Sequence, residues 1–282
     1  MSDEETYYRR YINDLPSAAT SAPLSPITDI PDTAETVYYR RYINDLFNCG
    51  IDITPVSDDF NRADTSAFVA PWVSYFKGGT NNNYLSIVSN QLRFNRNGTN
   101  PNSPFCIRYD GVDIPSTTKG QYSQVTIKSG PTDESHAFEV WLAIRMQQVG
   151  VGVALSNIKG YFMQWGNNSL NTPGTCQKYL TLYKWTGTAL SVLFSTTVHT
   201  KNDSNVPVIE PGVTARLQKG GCNANGKIII TGSSSGDVTQ IFADNAIPNG
   251  QPGVGAINSM NSSLVYPIYA DDWKGGIISG DY

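Results

Sequence analysis

Only one stretch of this chain sets carboxylates beside a histidine: Asp133-Glu134-Ser135-His136-Ala137-Phe138-Glu139. Glycoside hydrolysis takes two carboxylates flanking the scissile bond, about 5–10 Å apart. A single strand carrying Glu-x-Asp-x-x-Glu is one arrangement that meets this need. The run here lacks that spacing, and Asp133 and Glu134 follow Gly130-Pro131 in a turn. His136 and His199 have no Ser or Cys at a distance that nominates a nucleophile. Gly152-Val-Ala-Leu-Ser156 is not the Gly-x-Ser-x-Gly of a nucleophile elbow. No catalytic residue is assigned, and the chain is read as a non-enzyme.

Metal chemistry fares no better. Cys49, Cys106, Cys176 and Cys222 are far apart, without a Cys-x-x-Cys pair, so a zinc site is not expected and the thiols are read as reduced. Asp58-Asp59 and Asp271-Asp272 offer the hard oxygens that Ca²⁺ prefers, but paired aspartates more often cap turns. No metal and no cofactor is assigned. Sugar recognition asks for an aromatic platform beside amides. Trp165-Gly166-Asn167-Asn168 and Asn81-Asn82-Asn83-Tyr84 supply both, which makes Trp165, Asn167, Asn168 and Tyr84 the candidate glycan contacts. The competing reading places Trp in a core and Asn in turns.

A second chemistry is docking. Residues 7–15 read Tyr-Tyr-Arg-Arg-Tyr-Ile-Asn-Asp-Leu, and residues 38–46 repeat the same nine letters. Tyr8, Tyr11, Ile12 and Leu15 recur at i, i+3, i+4 and i+7, the apolar face of a short helix. Tyr39, Tyr42, Ile43 and Leu46 repeat that face. Arg9 and Arg10, and their copies Arg40 and Arg41, lie off it. With Tyr7 and Tyr38 they complete a composition typical of binding hot spots. Helices this short are marginal in isolation, so each cassette is expected to gain order on a partner's groove. The four prolines of residues 16–31 make a semi-stiff tether between them. Residues 1–50 thus read as an anchoring arm and residues 51–57 as a linker.

The elements behind the arm are strands. Charged residues are 16% of the chain, against roughly 25% in soluble domains, which leaves a neutral polar surface. The net charge of −4 argues against phosphate-backbone binding, and no apolar run is long enough to span a membrane. Met-Ser-Asp-Glu-Glu has no apolar leader pattern, and folding in a cytoplasm is expected. Residues 85–94 alternate around a turn at Ser89-Asn90. Residues 122–128, 138–146, 160–165, 179–185, 189–194, 212–217, 227–231 and 239–242 also read as strands, with a hairpin at Thr186-Gly187-Thr188. Nothing after residue 58 has helical periodicity, so residues 58–282 form one all-β sandwich.

Asp58-Asp59-Phe60-Asn61-Arg62-Ala63-Asp64, then Trp72, then Val88-Ser-Asn-Gln-Leu92, resembles the opening of concanavalin A-like (laminin-G-like) jelly rolls. Gly160-Tyr161, a turn over Asp244, Gly250, Gly253 and Gly255, and a closing strand at Asp271-Asp272-Trp273 continue the likeness. The fold it implies is an all-β concanavalin A-like β-sandwich behind an extended arm with two short helical repeats. The pairing of such a domain with a repeated anchor resembles accessory structural proteins of tailed bacteriophages. That resemblance implies a virion protein assembled in the host cytoplasm, a capsid decoration, cement or head-fibre protein held on a capsid or tail lattice. Nucleic acid and membrane are not expected as partners; a homo-oligomer is compatible with it. The alternatives are a glycan-binding, lectin-like receptor-binding protein and a polysaccharide hydrolase.

Overall fold

The structure is a computed structural model that describes residues 56–65, 67–76, 85–94, 105–110, 120–130, 138–152, 154–169, 176–198, 206–220, 225–256 and 267–278. Both cassettes, the tether, Tyr84, Asp133, Glu134, His136 and His199 lie outside them. In chain order the strands are β1 (Val56–Asp58), β2 (Trp72–Phe76), β3 (Leu85–Val88), β4 (Gln91–Phe94), β5 (Phe105–Tyr109), β6 (Gly120–Ser129), β7 (Phe138–Gln148) and β8 (Ile158–Ser169). They continue with β9 (Cys176–Trp185), β10 (Leu190–Val198), β11 (Thr214–Lys219), β12 (Asn225–Thr231), β13 (Val238–Ala243), β14 (Gln251–Ala256) and β15 (Ile268–Ile278). One sheet runs β13-β12-β11-β6-β15-β4-β3, with β1 also on β15; the other runs β10-β9-β8-β7-β14-β5-β2. All pairings are antiparallel, so the expected jelly-roll sandwich is what these residues build. Strand β1 takes in Val56 and Ser57 from the expected linker.

Local chemistry explains the hairpins. Ser89 and Asn90 sit at φ 52° and 61°, the two left-handed positions of a type I′ turn that joins β3 to β4. The turn at Thr186–Ala189 closes β9 on β10, with the Thr186 N–H donating to the Ala189 carbonyl at 3.1 Å.

One expectation is corrected. The glycine-rich segment read as a turn is strand β14, lying between β7 and β5. A Cβ on Gly253 would come within 2.2 Å of the Ile107 carbonyl oxygen, so glycine there lets neighbouring backbones close up.

The inter-sheet core holds Val125 and Ile127 of β6, Leu217 of β11 and Trp273 of β15. Against them pack Val140, Leu142 and Ile144 of β7 and Trp165 of β8. A polar stitch crosses it, because buried polar groups need partners. Ser123 donates to the Gly253 carbonyl at 2.7 Å, and Trp273 Nε1 donates to Ser123 Oγ at 3.0 Å.

At the start of the domain Asp58 accepts the Phe60 N–H (2.8 Å), Trp72 Nε1 (2.6 Å) and both terminal nitrogens of Arg62. Trp72 packs edge-on to Trp273 at 4.7 Å and to Tyr109 at 5.1 Å. Asp59 accepts the Asn61 N–H at the entry to the sandwich, whereas Asp271 accepts the Asp272 N–H inside strand β15, at the bulge where Asp272 takes φ 51°.

The seven-stranded sheet is buried on its outer face as well. A second apolar cluster there includes Tyr75, Cys106, Ala143, Met146, Phe162 and Tyr183. Burial pushes the Cys106 thiol pKa up, and that residue is a free thiol.

Candidate functional site

Strand β8 decides which residues face where. Val140 pairs with Trp165, Leu142 with Met163 and Ile144 with Tyr161, and all six belong to the inter-sheet core. Trp165 is fully buried, and its indole N–H donates to the Pro207 carbonyl at 3.0 Å. Asn167 shares that face and is also buried. Trp165 and Asn167 are therefore core side chains and not the platform and amide expected for a sugar. Asn168 pairs with Gln177 on β9.

The alternate residues of the same strands make a different surface. Trp141, Gln164, Thr181 and Ser195 stand in register across β7, β8, β9 and β10; Trp141 is buried in the same core cluster as Phe94, and the other three continue the row outward. One step along lies a second row: Glu139, Gly166, Tyr179 and Thr197.

Tyr179 donates a short hydrogen bond to Glu139, and Trp141 Nε1 donates to the other carboxylate oxygen at 2.9 Å. Gly166 makes this reachable, since a Cβ there would lie 2.7 Å from the Tyr179 hydroxyl. The Trp141 ring meets Phe94 edge-on at 5.8 Å, which fixes the indole. Thr181 and Ser195 share a hydroxyl hydrogen bond of 3.1 Å.

Exposure is graded along the first row. Gln164 is 2% exposed, Thr181 is 5% exposed, and Ser195 on the outermost strand is open to solvent. At the buried end, Gln164 Nε2 has no hydrogen-bond partner. An unsatisfied buried donor costs about 1–3 kcal/mol, so this amide is the group in the strip with most to gain from an acceptor. Among the described residues of the strip the carboxylate is Glu139.

A separate charged group closes one end of the sandwich. Asp244 accepts Lys184 Nζ at 2.6 Å, the Tyr161 hydroxyl at 2.6 Å and the Ala246 N–H at 2.9 Å. Burial alone would raise its pKa; the hydrogen bonds from Lys184, Tyr161 and Ala246 outweigh that and hold it below the usual carboxylate range. Arg145 sits at φ 55° on a bulge of β7, its N–H held by Gln121 and its guanidinium donating to the Gly220 carbonyl at 3.2 Å. Burial brings the Arg145 pKa down to about 10. Burial, with Arg145 adding to it, brings Lys219 down to about 8.

No protein-family model matches this chain, and no curated protein matches it. Solved structures do resemble it. The exoplasmic/lumenal domain of VIP36, in a form bound to Ca²⁺ and Man3GlcNAc, is 11% identical with a TM-score of 0.46, covering 75% of this chain and 86% of that one. A lectin from Bauhinia forficata in complex with GalNAc is 13% identical with a TM-score of 0.44, covering 81% and 100%. The carbohydrate recognition domain of Emp47p is 12% identical with a TM-score of 0.42, covering 76% and 90%. Nothing about a ligand follows from likenesses this distant.

The strip is half legible in the sequence: Glu139 stands out as a carboxylate, whereas nothing in residue type alone marks Trp141, Gln164, Tyr179 and Thr181. The signal that finds them is the period of two on β7, β8 and β9, read from the inward residues Val140, Trp165 and Leu180.

Proposed function

We propose that the sandwich is a non-catalytic glycan-binding module and that the strip from Gln164 to Ser195 is its sugar-contacting surface. The observation that carries this reading is the buried, unpartnered Gln164 amide at the inner end of a row that opens through Thr181 to Ser195. A hydroxyl-rich ligand supplies the acceptor Gln164 lacks. Binding sites commonly place a few polar groups where a ligand enters, and here Thr181 and Ser195 are the hydroxyls. The test is a glycan array probed with the full-length chain, followed by titration calorimetry on the best ligand. Wild type should bind one sugar class, and Thr181→Val should weaken that binding at least tenfold. Equal binding by Thr181→Val would remove the strip from the account.

The duplicated cassette favours a second reading that is compatible with the first. Residues 7–15 and 38–46 dock on two equivalent sites of a repeating protein lattice, in a virion the capsid or tail, and present the sandwich outward. Tethering makes the second docking intramolecular, so avidity exceeds either single affinity by about 10² to 10⁴.

A further inference from the structure

Strand β10 ends the seven-stranded sheet among the described residues. It is nine residues long, against six for β13, five for β2 and four for β3, the other sheet ends. An exposed edge invites pairing with another chain unless charges, prolines or bulges block it. Strand β10 reads Leu-Ser-Val-Leu-Phe-Ser-Thr-Thr-Val and has neither charge nor proline. Its one irregularity is the register shift between Val192 and Phe194. Beyond that point Phe194–Val198 pairs regularly with β9, which leaves five residues of flat edge.

We propose that two copies of this chain associate through β10, pairing Phe194–Val198 antiparallel about a twofold axis at Thr196. The sequence of this segment is self-complementary under that symmetry. Phe194 faces the second copy's Val198, Ser195 faces its Thr197, and Thr196 faces its own mate. Aromatic with β-branched and hydroxyl with hydroxyl are favourable cross-strand pairs, and no like charges meet. The contact is isologous and closes on itself, so it stops at two copies.

The pairing also completes the strip. Ser195, at the open end of one row, meets the second copy's Thr197, which leads to that copy's Tyr179 and Glu139. The two rows then form one continuous polar band across both sheets. This consequence for ligands rests on the glycan reading; the association itself does not.

The experiment is light scattering coupled to size-exclusion chromatography on the full-length chain at micromolar concentration. Wild type should elute at twice the chain mass. Thr196→Lys, which sets two ammonium groups face to face on the axis, should elute as a monomer. Thr196→Asp should do the same, and an equimolar mixture of the two should recover the dimer. That recovery separates a lost interface from a lost fold, because a chain that cannot fold is not rescued by an opposite charge. Val192→Lys lies before the register shift and should leave the dimer intact. A monomeric wild type, a dimeric Thr196→Lys, a mixture that stays monomeric, or a monomeric Val192→Lys would each overturn the proposal. If no glycan binds while the dimer forms, only the glycan reading falls; if glycans bind to a monomer, only the pairing falls.

Discussion

Glu139 and Tyr179 meet across Gly166, a strand that neither belongs to, and their hydrogen bond exists because the residue between them has no side chain. Tyr179→Phe removes one donor from a buried carboxylate and should destabilise the domain by about 1–3 kcal/mol. Gly166→Ala forces a methyl against both the Tyr179 hydroxyl and the Phe138 carbonyl, at 2.7 and 2.5 Å. It should cost about 1–3 kcal/mol through overpacking. Thermal melts of both single variants and the double variant check this. Because the two changes act on one contact, the double variant should lose less than the sum of the singles.

Asp58 accepts four hydrogen bonds from three residues, Phe60, Arg62 and Trp72, at the point where the chain enters the sandwich. Asp58→Ala leaves the Trp72 indole N–H buried without its acceptor. The expected loss is on the order of 2–3 kcal/mol, read as a lower urea midpoint with unchanged slope. Asp59→Ala, whose carboxylate holds only the exposed Asn61 N–H, should change stability by less than about 0.5 kcal/mol.

These residues also show how far the sequence could be read. The β3–β4 hairpin announced itself because Ser89-Asn90 supplies two left-handed positions between alternating runs. Strand β14 did not, because Gln-Pro-Gly-Val-Gly-Ala has turn composition; its glycines are there for close backbone approach, which only the neighbouring strands reveal. Strand β5 carries no sequence signal, because four of its five residues are buried and no alternation marks it. Trp165 carries two readings in the sequence, surface platform and core, for a related reason. Strand β8 is buried on both faces, so the period of two separates Trp165 from Gln164 without saying which side is the core. Aspartate as a turn cap, by contrast, is legible from residue type alone and is what Asp59 does, while Asp271 sits on a bulge of β15 that residue type does not announce.

The Lys219 ammonium donates to Asn245 Oδ1 at 3.1 Å, and burial, with Arg145 adding to it and Asp244 opposing it, brings its pKa down to about 8 from the ordinary 10.5. The unfolded chain therefore binds more protons at this group between pH 8 and 10, and its contribution to stability rises with pH across that window. Below pH 8 both states are protonated and the penalty is fully present. Lys219→Met should remove the rise, so that the stability difference between variant and wild type shrinks or reverses from pH 7.5 to 10. Urea titrations at several pH values measure it; a difference that stays constant with pH would contradict the assignment.

The arm makes its own demand. Binding of full-length chain to purified particles lacking it should drop strongly for Tyr11→Ala and for Tyr42→Ala, and vanish for the double variant. Wild-type binding by Tyr11→Ala would mean that the first cassette has no site of its own.

The most direct test of the account is one glycan array probed in parallel with the full-length chain and with Gln164→Met. Methionine keeps the volume and removes the buried amide. The variant should melt higher, by about 2–4 °C for each kcal/mol recovered, while losing its sugar signal. A variant that binds sugars like wild type, or a wild type that binds none, would contradict the reading of the Gln164 strip as a glycan site.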